Sequence, residues 1–362
     1  MGKQVRGIAV ALLMGMLVVG RSAAQEETDW ECPSGFEGQT LRVYNWDTYI
    51  ADGTIALFED LCAVTVIYDV FETNVTLIDQ LIRGAHPYDV VVPSDYVVAD
   101  LIRDGLLYPL DHRKIPNIAN LDPQFLNTPY DPDNAYALMY QWGSIGIGYH
   151  RGRTGKAITS WADVFAYPGA VVWLDEARTM VGSALQMLDF DPNSQNPDEI
   201  AAAAEFLIAR SDNVIAIAPD TGQDYLVSGE ADIVIEYNGD IFQLNDDCGC
   251  DDYAYVLPEE GSSLFADYLV IPANAPNPDL GHVFIDYLLD PYVGAAISNY
   301  TAYGTPNRAA LDMGLIDAEL LANPGIYPPD DVRAQLFFIE SSGDAELDYL
   351  VVWDEIFIQI GQ

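Results

Sequence analysis

Leu41-Arg42-Val43-Tyr44, Val64-Thr65-Val66-Ile67-Tyr68-Asp69-Val70 and Tyr88-Asp89-Val90-Val91-Val92 are short runs rich in β-branched and aromatic residues, the last closed by Pro93-Ser94. Such runs read as strands. Between the first two, residues 52–61 carry Ile55, Leu57, Phe58 and Leu61 at helical spacing. Between the second and third, residues 75–83 place Leu77, Ile78 and Leu81 on one face; after the third, residues 97–104 are again helical. This strict alternation puts the chain in the α/β class, with a mostly parallel sheet covered on both faces. Crossovers then gather the loops after the strands at one edge, where such sheets bind ligands.

The pattern continues outward. Ser160 reads as the cap of a helix over 161–165, and Val171 to Leu174 as a strand ending in Asp175-Glu176. An Ala-rich helix over 201–210 precedes a strand over 231–237 that runs into Asn238-Gly239-Asp240. A strand over 268–271 stops at Pro272, and residues 282–289 are helical. A length of 362 residues suggests about two domains of ~150 residues each. No tandem repeat or low-complexity linker separates them, so two domains would require the chain to cross between them more than once.

Composition narrows the function. There are 56 Asp+Glu against 15 Lys+Arg, a formal net charge of −41, and 50% hydrophobic residues. The apolar fraction is too high for an acidic disordered tail. The charge excludes the basic footprint that nucleic acid requires and disfavours anionic lipid. What remains is a globular protein whose field attracts cations. Most of the charge reads as a solvated surface suited to a saline medium.

Residues 1–24 read as an export signal: Lys3 and Arg6, then an apolar run from Ile8 to Val19, then Ser22-Ala23-Ala24. Cleavage is expected after Ala24, with the mature protein free in the periplasm or outside. No Cys stands at the cleavage site to carry a lipid. Of Cys32, Cys62, Cys248 and Cys250, the preferred bridge is Cys32–Cys62, since one precedes the first strand and the other ends the first helix. Cys248-Gly249-Cys250 either closes a small ring or bridges elsewhere. His86, His112, His150 and His282 do not cluster, so no metal site is expected, and no cofactor motif is present. Gly143-Ser144-Ile145-Gly146-Ile147-Gly148 reads as a strand passing close to other backbone, not as a dinucleotide fingerprint. The Asp-rich run 245–252 lacks EF-hand spacing and reads as a solvated loop.

The polar punctuation carries the chemistry. Tyr44-Asn45-Trp46-Asp47-Thr48-Tyr49, Ser94-Asp95-Tyr96, Asp175-Glu176, Tyr237-Asn238-Gly239-Asp240, Phe265-Ala266-Asp267-Tyr268 and Tyr300-Thr301-Ala302-Tyr303 combine aromatics with carboxylates, and are read as strand-end loops. Singly, each reads as a cap or a turn. Together they suit a linear organic cation, with carboxylates for the ammonium groups and ring faces for the methylenes.

At these loops the sequence resembles the substrate-binding proteins of polyamine ABC transporters, from about Leu41 to Phe357. Further matching stretches are Asn120-Leu121-Asp122-Pro123, Thr159-Ser160-Trp161-Ala162-Asp163, Ile271-Pro272-Ala273-Asn274-Ala275 and Thr305-Pro306-Asn307 with Ala309-Ala310. Each string is short; their order and spacing together are specific. The resemblance implies the two-lobed periplasmic binding protein fold of type II. Lobe one would hold 38–141 and 266–311, lobe two 142–265 and 312–362, with the ligand in the cleft between them. It implies a spermidine- or putrescine-like ligand, delivery to a membrane permease, a monomer and no catalysis.

The resemblance also implies the ligand-binding residues. Asp267 would grip an amine in the middle of the site, with Trp46, Tyr49, Ser94, Tyr96 and Tyr303 around it. Phe265 takes a wall position held by Trp in spermidine binders and Phe in putrescine binders. Tyr237 stands where Trp is usual. Asp240 matches the acid of a Trp-x-Gly-Asp motif, and Glu176 a carboxylate of an Asp-Asp-Ala-Arg-Glu stretch. Three departures stand out: Thr179 replaces the last Glu of that stretch, Asp47 takes a Ser/Thr position, and Ile339 aligns near a polar position. Two other readings are a ligand-sensing adaptor for a membrane signalling protein and a hydrolase on the same scaffold.

Overall fold

A computed structural model describes residues 28–84 and 86–361. The expected export signal lies outside the described residues. Ten strands carry the fold: β1 Thr40–Trp46, β2 Thr65–Phe71, β3 Val90–Val91, β4 Ala137–His150, β5 Val171–Leu174, β6 Val214–Ala218, β7 Ile233–Tyr237, β8 Tyr253–Val256, β9 Ser263–Val270 and β10 Phe337–Phe338. β1 pairs in parallel with β2 and β3, and β5 in parallel with β6 and β7. These are the two parallel sets that alternating strands and helices dictate.

Two long antiparallel strands join the sets. The first part of β4 pairs with β9, from Ala137↔Val270 to Ser144↔Leu264. The rest pairs with β7, from Ile145↔Tyr237 to Tyr149↔Ile233, and with β8. β9 meets β3 through Val91↔Val270, and β10 lies parallel to its start. The fold is thus two-lobed, with β4 and β9 continuous from one half to the other. Leu41, Val43 and Val90 are buried in one half, and Val171, Trp173 and Ile233 in the other.

Of the β4 glycines, Gly146 passes close to other backbone, as expected, while Gly143 and Gly148 pass close to side chains. A Cβ at Gly143 would fall 2.4 Å from Asn238 Oδ1, and one at Gly146 2.6 Å from the Val256 carbonyl. Ser160 does cap the helix Trp161–Phe165, its hydroxyl accepting from Asp163 N at 3.1 Å. Two disulfides are present, Cys32–Cys62 and Cys248–Cys250, the second closing the small ring. Near the first, Trp30 stacks its edge on Tyr287 and donates to Asp286 at 2.9 Å, so the bridge pins an ordered N-terminal segment to the body. The Cys32→Ala, Cys62→Ala double variant releases a loop of sequence separation 30. It is expected to lower unfolding stability by about 3 kcal/mol, seen as a drop in the urea midpoint with little change in ligand affinity.

One expectation needs correction. Phe265 and Asp267 do not lie in a strand-end loop; they sit inside β9, which begins five residues before the run 268–271 that hydropathy marks. All eight residues of β9 are buried, the strand lying inside the sheet with β4, β3 and β10 paired along its edges. The charged Asp267 breaks the apolar pattern there, which is why the strand looks shorter in the sequence. Likewise Tyr300 and Thr301 close the helix Pro291–Thr301, and Tyr303 follows a helix, not a strand.

Candidate ligand cleft

Period-two geometry decides what β9 presents. Phe265 and Asp267 line a narrow cleft between the two halves, while Leu264, Ala266 and Tyr268 line the opposite face. Asp267 is 3% exposed. Its Oδ1 accepts from Ser94 Oγ at 2.7 Å and its Oδ2 from Tyr49 Oη at 2.8 Å. Ser94 is held by Asn74, which accepts from Ser94 N at 3.2 Å and donates Nδ2 to its hydroxyl at 3.0 Å. The same Nδ2 reaches Tyr96 Oη at 3.1 Å. The carboxylate is therefore fixed in place before any ligand arrives. Burial pushes its pKa up to about 7, against the opposing pull of the two hydroxyl donors.

Glu176 stands at the start of the helix Ala177–Met187, across the cleft from Tyr96, whose hydroxyl donates to it at 3.4 Å. Burial, then the charges of Asp175 and Glu346, push it up to about 8. The neighbouring Arg178 does not face the cleft. It is 2% exposed, pairs with Glu346 at 2.9 Å and lies over the Tyr349 ring. Asp175 is likewise engaged, accepting from Trp353 Nε1 at 2.8 Å.

Aromatic rings form the walls. Tyr303 packs edge-on against Tyr49 at 5.0 Å and against Phe265 at 5.6 Å, and Phe265 meets Tyr237 at 5.2 Å. Trp46 is buried on Phe71, while Asp47 is exposed at the rim. Gly239 lets the helix Asn238–Cys248 approach: a Cβ there would fall 2.4 Å from the Tyr303 ring and from the Thr301 carbonyl. That approach brings Asp240 to Tyr303, whose hydroxyl donates to Oδ2 at 2.5 Å, and to Thr48, which donates to Oδ1 at 2.9 Å.

Trp46, Asp47, Tyr49, Ser94, Tyr96, Glu176, Tyr237, Phe265, Asp267 and Tyr303, all expected at one site, line this one cleft. Asp240 does not line it; Tyr303 and Thr48 cover its carboxylate. Thr179 and Ile339, noted as departures, do line it. Three further residues line it that the sequence reading did not assign to the ligand: Asp95, quoted there within the loop Ser94-Asp95-Tyr96, Ile145 and Asp220. Asp95 stands between Ser94 and Tyr96 in that loop. It is 7% exposed, and burial holds its carboxyl well above the usual range. Asp220 follows β6, whose Ala-containing run Val214-Ile215-Ala216-Ile217-Ala218 is the strand signal that would have found it.

The charged groups lining the cleft are all acids, with no Lys, Arg or His among the described residues there. Such a site holds a cation and excludes anions. Its rings add cation–π attraction and apolar contact for methylenes.

Residues 56–326 match the family model described as bacterial extracellular solute-binding protein. The chain is 34% identical over 325 residues to the putrescine-binding periplasmic protein PotF of Escherichia coli, covering 84% of this chain and 87% of that protein. It is 33% identical over 344 residues to the spermidine/putrescine-binding periplasmic protein of Salmonella typhimurium, covering 93% and 94%. A solved structure described as a putative spermidine/putrescine ABC transporter from Listeria monocytogenes superposes with a TM-score of 0.79 at 31% identity, covering 89% of this chain and 98% of that one.

Proposed function

Because the chain belongs to the bacterial extracellular solute-binding proteins, we propose that it is the exported receptor of a polyamine transporter. It binds a linear di- or polyamine in the cleft and presents it to the membrane-embedded permease of an ABC transporter. No helix of the described residues is long and apolar enough to cross a membrane. The mature protein acts as a monomer after its leader is cut after Ala24.

One observation carries this reading: a buried carboxylate, Asp267, clamped by Ser94 and Tyr49 inside an aromatic cleft whose other charged walls are acids. Asp267 takes one ammonium, Glu176 and the rim acid Asp47 take others, and Trp46, Tyr237, Phe265 and Tyr303 pack the methylenes. Residues 38–141 with 266–311 and residues 142–265 with 312–362 act as the two lobes. They open and close by hinge motion in β4, in β9 and near residue 311. Tyr96 to Glu176 and Thr48 to Asp240 are the hydrogen bonds made on closure. Calorimetric titration with putrescine, cadaverine, spermidine, spermine and the matching neutral diols tests the proposal. The amines should bind and the diols should not; binding of diols with equal strength, or of no amine, removes the reading.

A further inference from the structure

Behind the cleft wall lies a second group of acids. Asp220 follows β6, Glu236 lies on β7, and Asp240 opens the helix Asn238–Cys248. One carboxylate oxygen from each lies within 4.8 Å of the other two. None of the ion pairs among the described residues engages any of the three.

Glu236 is fully buried. Its Oε1 accepts from Tyr237 N at 3.0 Å, and its Oε2 has no hydrogen-bond partner. Asp220 Oδ1 is likewise unpartnered. A Cβ at residue 222 would fall 2.4 Å from Glu236 Oε2, so Gly222 leaves room where any other residue would crowd that oxygen. Asp240 is oriented from outside by Thr48 and Tyr303. A buried polar atom without a partner is costly, and a buried charge more so. Three converging carboxylates without a counter-cation call for one.

We propose that Asp220, Glu236 and Asp240 form a binding site for one hard divalent cation of the calcium or magnesium class. The donors are all oxygen, as such ions prefer, and oxygens within 4.8 Å of one another fit a shell of radius 2.0–2.6 Å. Two positive charges balance three acids better than a single ammonium does. Glu236 lies beyond the reach of the cleft, whose lining includes Asp220 but not Glu236.

The test uses the mature chain, stripped of metal and free of amine, so that it stands apart from the polyamine reading. Melting is followed in millimolar CaCl2 or MgCl2 against NaCl of equal ionic strength. Mn2+ binding is counted by electron paramagnetic resonance. The expected result is a rise in Tm of about 5 °C with divalent salt, and one Mn2+ per chain displaced by Ca2+. Glu236→Gln should abolish both, and should itself melt above the metal-free wild type because one buried charge is gone. The Asp246→Asn, Asp247→Asn double variant should keep both; these exposed acids lie in the last turns of the helix Asn238–Cys248, where the sequence reading expected a loop. Asp220→Asn repeats the test if Glu236→Gln does not fold. No divalent-specific rise, a rise that survives Glu236→Gln or Asp220→Asn, or a response of the cluster to putrescine but not to metal would each overturn the proposal.

Discussion

Asp267→Asn is expected to weaken diamine binding by roughly 30- to 4,000-fold while leaving the ligand-free protein at least as stable as the wild type. Removing one partner of a buried, hydrogen-bonded charge pair costs about 2–5 kcal/mol, and each 1.4 kcal/mol is about a factor of ten. Asparagine keeps the shape: its one carbonyl oxygen still accepts from one of the two hydroxyls, Ser94 or Tyr49, and the other hydroxyl turns to accept from the amide, but the negative charge that meets the ammonium is lost. In the free protein the effect has the opposite sign. Burial has already raised the Asp267 carboxyl to about 7, which means that its ionised form is unfavourable there. A neutral amide removes that burden. Titration calorimetry with putrescine and a melting curve of each protein check the two halves together. Unchanged affinity in a folded variant would show that the ammonium sits elsewhere. Weakened affinity with a collapsed melting temperature would show that Asp267 serves the fold instead.

Much of this was legible in the chain, for reasons that differ by residue. β1, β2 and their helix announce themselves through β-branched runs and helical spacing, because both faces of a parallel sheet are buried and select the same residue types. Tyr49, Ser94 and Tyr96 were visible as polar punctuation next to such runs. Asp267 was recognised through resemblance, and its position was misjudged. A carboxylate in the middle of a fully buried strand violates hydropathy patterning, and the pattern therefore ended the strand early. Functional sites are where local rules yield, since a binding carboxylate must be desolvated to discriminate. Asp220 and Glu236 were missed for a related reason. Glu236 sits within a strand read as apolar, and only the tertiary pairing of β7 beside β6 brings it to Asp220. No spacing in the chain encodes that meeting.

The charge balance separates in the same way. Of 56 acids, few face the cleft or the cluster behind it, and the rest are too many for a small cation to require. They raise encounter rates with a polycation at low salt and keep the surface hydrated, and the first effect fades as ionic strength rises. The buried few behave differently, because salt does not screen them and protons reach them first.

That difference predicts a steep pH dependence of binding. In the ligand-free protein Asp267 titrates at about 7 and Glu176 at about 8, against ordinary values of 3.8 and 4.5. Both are raised, so the folded chain holds protons that the unfolded chain has already released. Their contribution to stability is complete below pH ~4 and is lost as the pH climbs through 7 and 8. The ligand-free Tm should fall over that window. An ammonium favours the ionised carboxylates, so binding expels those protons and affinity rises with pH. With both groups ionised only in the complex, the gain from pH 6 to pH 8 is expected to reach roughly 500-fold. Asp95 lines the same cleft, is also raised by burial and pushes in the same direction. Titrations in buffers of different ionisation enthalpy measure the protons released. At pH 7 they should show net release, and saturating amine should flatten the fall in Tm. An affinity that is level from pH 6 to pH 8, with no proton release, would mean that the cleft acids are already ionised before the ligand arrives and that burial does not set their charge.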